Sequence, residues 1–176
     1  MGKLRIFYAT DVHGSERCFL KFVNAGPFYK ADVLILGGDI TGKFVIPIVQ
    51  RGETYVCELM GSQETAASKE ELAGLEKRIR DMGYYPYHAS LSELEALRAD
   101  PQKLDGLFTK VMCESVERWM AVAEQKLRRT SIQCYVSPGN DDRFEIDSVI
   151  SRSNYVKNPE GRVIELGGSY EMVTLG

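Results

Sequence analysis

No two cysteines in this sequence have the C-x-x-C spacing of a zinc or redox motif; Cys18, Cys57, Cys113 and Cys134 are scattered. A disulfide framework is not expected at 176 residues, so each cysteine reads as a small buried hydrophobe in a reducing compartment. Histidine is scarce, with only His13 and His88. No long basic run is present, and 22 basic against 25 acidic residues leave a net charge of −3, which argues against a general grip on nucleic acid. No apolar stretch reaches membrane-spanning length. The apolar run at the N-terminus is cut by Asp11 and is too short for a signal peptide. The chain therefore reads as soluble and cytoplasmic. Neither a G-x-G-x-x-G after the first apolar run nor a Walker-type lysine loop occurs, which weighs against a nucleotide-binding oxidoreductase. Internal repeats and low-complexity tracts are missing as well.

What is present is ordinary globular material, 44% apolar and 27% charged, enough for one domain with a sizeable core or one domain carrying a large insertion. Leu4 to Thr10 predicts a buried strand ending at Asp11. Residues 15 to 25 place Cys18, Leu20, Phe22 and Val23 on roughly one helical face, and Val33-Leu34-Ile35-Leu36 predicts a second buried strand ending at Gly37-Gly38-Asp39. Strand, helix and strand in this order imply a βαβ unit with parallel strands. Ile132 to Val136 predicts a third buried strand, ending at Ser137-Pro138-Gly139-Asn140-Asp141-Asp142. Val163 to Leu166 and Tyr170 to Leu175 predict two more strands, joined through Gly167-Gly168-Ser169 in a hairpin.

Residues 43 to 130 read as an insertion between the second and third strands. Phe44 to Val49 and Thr54 to Met60 predict a hairpin around Arg51-Gly52-Glu53, with Pro47 arguing for an edge position. Three helix starts follow. Ser68 and Ser90 each stand three residues before a glutamate in capping-box form, and Asp100-Pro101 puts a cap before a first-turn proline. Behind it, Leu104, Leu107, Phe108, Val111, Met112, Trp119, Val122, Ala123 and Leu127 form a long apolar stripe, read as core packing.

Three predicted strands thus end in polar clusters: Asp11-Val12-His13, Gly37-Gly38-Asp39 and Gly139-Asn140-Asp141-Asp142. Ligands of open α/β sheets bind beyond the carboxyl ends of the strands, so the clusters are expected to meet in one crevice. The set is oxygen-rich with one imidazole, which suits divalent manganese, iron or zinc. Asp11 and His13 are two apart, so in an extended segment both point to one side. Gly38 and Gly139 permit tight turns and leave room for an anion beside the backbone. Alone, each cluster reads as a turn or a helix cap; the functional reading comes from their conjunction.

In these three ordered motifs the chain resembles the calcineurin-like metallophosphoesterase family, over roughly residues 3 to 42 and 131 to 142. The resemblance implies an α/β fold, the N-terminal part of an α/β/β/α sandwich, as a single domain over 1–176 interrupted at about 43–130. It implies two divalent metal ions, with Asp11 and His13 on the first, Asp39 bridging and Asn140 on the second. It also implies a phosphate-ester substrate that Asn140 touches and that a hydroxide between the ions attacks in line. Asp142 stands at the family's acidic position. Arg143 is a candidate phosphate contact, with a surface arginine as the plainer reading.

Two departures accompany the resemblance. Asp141 stands where the family's commonest form has a catalytic histidine; a carboxylate there would be repelled by phosphate unless its pKa were raised. The family's later histidines have no counterpart, because the only other histidine, His88, precedes the third motif. The expectation is therefore a truncated form carrying part of a ligand set, weak in metal binding and incomplete or inactive by itself, with an unpaired strand edge that invites self-association. The alternative is a non-catalytic interaction module on the same fold. His88, beside Tyr84, Tyr85 and Tyr87, reads as a surface or packing residue; the weaker alternative is that the insertion folds over the crevice and brings His88 or these tyrosines to the substrate.

Overall fold

The computed structural model describes residues 3–168 and 170–175, and it is a mixed α/β structure with three sheets and five helices among the described residues. In chain order the elements begin with β1 (Ile6–Ala9), α1 (Glu16–Tyr29) and β2 (Val33–Gly37). Next come β3 (Val45–Arg51), β4 (Thr54–Leu59), β5 (Ser62–Ala66), α2 (Lys69–Asp81) and β6 (Tyr85–Ala89). Then follow α3 (Leu91–Ala99), α4 (Pro101–Leu127), β7 (Gln133–Ser137), α5 (Glu145–Ser151), β8 (Val163–Leu166) and β9 (Tyr170–Val173). None of the described helices is long and apolar enough to cross a membrane.

The first, second and third predicted strands pair in parallel in the order β1-β2-β7. Their unbroken apolar character follows from cover on both faces. Leu34, Leu36, Cys134 and Val136 pack against α1, α4 and α5 in the main core. Val33, Ile35 and Tyr135, one residue out of phase, pack against Leu166 with Ile164 and Met172 of the β8–β9 hairpin. Ser169, in the predicted connection of that hairpin, lies outside the described residues. β1 departs from its prediction as a buried strand. It is an edge of its sheet, and Phe7 and Ala9 pack on the core while Ile6 and Tyr8 are exposed. The hairpin's core contacts are with β2 and β7, so the hairpin-side face of β1 stays open.

Local chemistry sets the helix starts. The hydroxyls of Ser15, Ser68 and Ser90 accept from the amides of Cys18, Glu71 and Glu93 at 3.3, 3.1 and 3.1 Å, each satisfying one orphan donor of a first turn. Asp100 does the same for Gln102 and Lys103, with Pro101 beside it as the first helical residue. The helix expected over residues 15 to 25 runs on to Tyr29 and stops at Lys30 in the left-handed conformation. The short α5 has no foreshadowing motif; Ile146, Val149 and Ile150 give it one buried face.

Residues 43 to 130 divide between two cores. β3 to β6 form a second sheet in the order β5-β4-β3-β6, and Ile48, Cys57, Leu59 and Ala66 meet Leu75 and Ile79 of α2 in a cluster of their own. Met112, Trp119, Ala123 and Leu127 of α4 instead join the main core. The expected β3–β4 hairpin is present, but β3 is interior rather than an edge, because the unforeseen β6 pairs with it in parallel. Pro47 is tolerated there because the β3–β4 register stops at Val49, leaving the proline paired on the β6 side alone. Two cysteines also depart from expectation: Cys18 is exposed on α1 and Cys113 is only half-buried on α4, whereas Cys57 and Cys134 are buried. Burial pushes the Cys134 thiol up to about 12.

Trp119 stacks on Phe19, with ring centroids 4.4 Å apart and an interplanar angle of 10°. Trp119→Ala should lower stability by about 3–5 kcal/mol through the cavity it leaves, read by far-UV circular dichroism in a denaturant titration. Phe144→Ala, at a side chain 90% exposed, should stay within about 0.5 kcal/mol.

Candidate metal centre

Because β1, β2 and β7 are parallel, their C-terminal loops lie on one edge of the sheet. The ladder continues beyond the strands. The amides of Asp11, His13 and Gly14 donate to the carbonyls of Gly38, Asp39 and Ile40 at 3.2, 2.9 and 2.9 Å, and Gly38 donates to Ser137 at 2.8 Å. The three polar clusters are therefore held side by side by main-chain bonds, independently of any ligand.

The segment carrying Asp11 and His13 is not extended, contrary to expectation. Asp11, His13 and Asp39 have φ of 56°, 42° and 49°, the left-handed region that a residue with a Cβ adopts at a cost on the order of 1–3 kcal/mol. Val12 between them is buried in the main core, so it anchors the turn while its neighbours stay exposed. Convergence results all the same. His13 Nε2 lies 3.6 Å from Asp11 Oδ1, and one ligand atom each of Asp11, His13 and Asp39 fall within 4.8 Å of one another. Two carboxylates and an imidazole at that spacing can supply one donor each to a single divalent ion. Among the described residues this is the one group of three such side chains found together.

Asn140 lines a cavity of about 700 Å³ together with Asp11 and Asp39. The glycines also bring two loops together. A Cβ on Gly139 would stand 2.4 Å from Asp39 Oδ1 and 2.5 Å from its amide nitrogen. Gly139 thus lets the third loop lie directly against the second. Asp142 then fastens them. Its Oδ1 accepts from the Thr41 amide and hydroxyl at 2.8 and 2.6 Å, and its Oδ2 accepts from the amides of Ile40 and Gly139 at 3.0 and 2.8 Å. With both oxygens engaged, Asp142 positions the loops that carry Asp39 and Asn140.

Asp141 is exposed beside this centre. Its amide donates to Asp39 Oδ1 at 3.3 Å, and its carboxylate pairs with the ammonium of Lys43. That ion pair holds Asp141 below the ordinary carboxylate range, the opposite of what a proton donor at neutral pH needs, and it raises Lys43. Arg143 is turned toward α4: it donates to Asp105 Oδ1 and Thr109 Oγ1, both at 2.7 Å, and its guanidinium lies 4.6 Å from the centre of the Phe108 ring. His88 pairs with Glu76 at 2.6 Å on the second sheet.

Sequence reasoning missed Lys43 and Thr41, whose only signal was closeness to Gly38-Asp39. It also missed a junction behind the centre. The Gly42 amide donates to Tyr85 Oη at 2.7 Å, and burial pushes the Tyr85 phenol upward. Gly14, Gly42 and Gly83 touch there: a Cβ on Gly42 would stand 1.9 Å from the Gly83 carbonyl, and one on Gly83 would stand 2.2 Å from that of His13.

Asp142→Asn keeps the shape but turns an amide NH₂ toward donors, so about half of the four bonds are lost. A loss of about 1–3 kcal/mol is expected, read as a lowered midpoint in thermal denaturation; an unchanged midpoint would count against the clamp.

No family model matches the chain, and no curated protein or solved structure matches it.

Proposed function

We propose that this chain hydrolyses phosphate esters with the help of divalent metal ions, as a protein of the calcineurin-like metallophosphoesterase type on an α/β/β/α-related scaffold. The observation that carries the reading is the convergence of Asp11, His13 and Asp39 at the ends of adjacent parallel strands, all three in left-handed backbone conformation. Strain of this kind is stored where a site needs a fixed geometry. Asp11, His13 and Asp39 would hold one ion, and Asp39 with Asn140 would serve a second; manganese, iron and zinc suit these donors. Bound divalent ions supply the positive charge that draws phosphate in and makes a water acidic enough to attack phosphorus.

The chain's own residues supply the rest. Asp11, Asp39 and Asp141 crowd the site with negative charge and would by themselves repel a phosphate ester, which is why this centre calls for cations. The Asn140 amide can donate to a phosphoryl oxygen from the wall of the cavity it shares with Asp11 and Asp39. Asp142 and Gly139 hold the second and third loops in register. Arg143, committed to Asp105 and Thr109, is assigned to α4 rather than to substrate.

Titration calorimetry with manganese chloride, together with hydrolysis of 4-nitrophenyl phosphate, tests the proposal. The unaltered chain should bind manganese and release nitrophenol in its presence. Asp39→Asn should weaken binding by more than about 100-fold, beyond the usual cost of losing a supporting residue. A chain that binds no metal and cleaves nothing would favour the non-catalytic module instead.

A further inference from the structure

Lys43 sits four residues beyond Asp39 on the loop leading into β3, and it faces two ways. On one side its ammonium pairs with Asp141, whose amide is bonded to Asp39 Oδ1. On the other it lines a cavity of about 380 Å³ with Phe44, Leu104, Phe108 and Arg143. This second cavity differs from the one above Asn140. Phe44, Val45, Pro101, Leu104 and Phe108 give it an apolar and aromatic wall, the paired Asp105 and Arg143 lie at its side, and Phe44 stays 60% exposed there. The Lys43–Asp141 pair thus stands at the boundary between the proposed metal ligands and an apolar recess of small-molecule size.

We propose that Lys43 is the cation that meets the departing oxygen of the ester, and that the recess lined by Phe44 and Phe108 receives the ester's organic group, an aromatic or apolar alcohol. The assignment rests on the phosphoesterase reading. In the reaction, a water oxygen forms the new bond to phosphorus and gives up a proton. The old phosphorus–oxygen bond breaks, its electron pair stays on the departing oxygen, and that oxygen ends protonated from solvent as the free alcohol. Negative charge grows on the departing oxygen as the bond breaks, and a fixed ammonium donating a hydrogen bond to it stabilises that charge where it develops. Arg143 is already engaged by Asp105, Thr109 and the Phe108 face. Lys43 pairs with the exposed carboxylate of Asp141, close enough to Asp39 to feel its charge, and Asp141 serves as its positioning residue.

The test compares two aromatic esters of similar size but different leaving ability, benzyl phosphate and 4-nitrophenyl phosphate, in manganese. Nitrophenolate carries its charge readily and needs little help, whereas benzyl alkoxide needs much. Lys43→Met and Lys43→Gln should lower kcat for benzyl phosphate about 100-fold or more and for nitrophenyl phosphate less than about 10-fold, with Lys43→Arg restoring part of the difference. Manganese isotherms of the variants should match the unaltered chain. Equal slowing of both esters, no slowing of either, or loss of manganese binding in both neutral variants overturns the assignment and leaves the phosphoesterase reading standing. Hydrolysis of neither ester by the unaltered chain overturns both.

Discussion

The carboxylate of Asp142 reaches across from the loop after β7 to the loop after β2, where it accepts three hydrogen bonds, and it accepts a fourth from Gly139 on its own loop. Much of what surrounds it depends on that attachment. A loop holding Asp39 at positive φ would relax to an ordinary turn unless its neighbours over-determined it. The carboxylate on one side and the laddered loop of Asp11 and His13 on the other do so. The close approach at Gly139 makes the reach short enough. Charge-assisted bonds to several amides are among the strongest a protein uses, so the Asp142 carboxylate ties together two loops that carry several like charges.

The second sheet takes part in the same construction. Tyr85 of β6 accepts from Gly42 on the Asp39 loop, and the turn before β6 presses Gly83 against the carbonyl of His13. The 43–130 stretch, read from the sequence as an insertion, therefore has two duties. Its β-rich part packs behind the loops of Asp11, His13 and Asp39, and α4 fills the main core with Met112, Trp119 and Leu127.

How much of this was legible follows from where the information lies. β2 and β7 declared themselves because both faces are covered, which forces unbroken apolar runs. The serine and aspartate caps declared themselves because the first turn of a helix needs an acceptor at a fixed offset. β5, Ser-Gln-Glu-Thr-Ala, is a polar edge strand held by its backbone pairing to β4, and no side-chain pattern marks such a strand. β6 is five residues with a proline and resembles a turn. Among site residues, Asp11, His13, Asp39 and Asn140 stood in recognisable motifs, but the expectation of extended backbone at Asp11 and His13 assumed a strand period where the chain turns left-handed. Lys43 belongs to no motif and becomes visible only when the loops are folded together. Arg143, adjacent to the motif, is carried away by α4.

The contact among Gly14, Gly42 and Gly83 has one more consequence. None of the three carries a group that could bind or react, yet each lies where a side chain would strike the backbone of another loop. Across evolutionary time they should drift less than the exposed side chains beside them, since a change at Asp39 leaves the loops closed whereas a Cβ at any of the three would force them apart. If Asp11, His13 and Asp39 are the ligands proposed above, a lineage that lost them would still keep the glycines, and a comparison built on invariant positions would record the scaffold rather than the site.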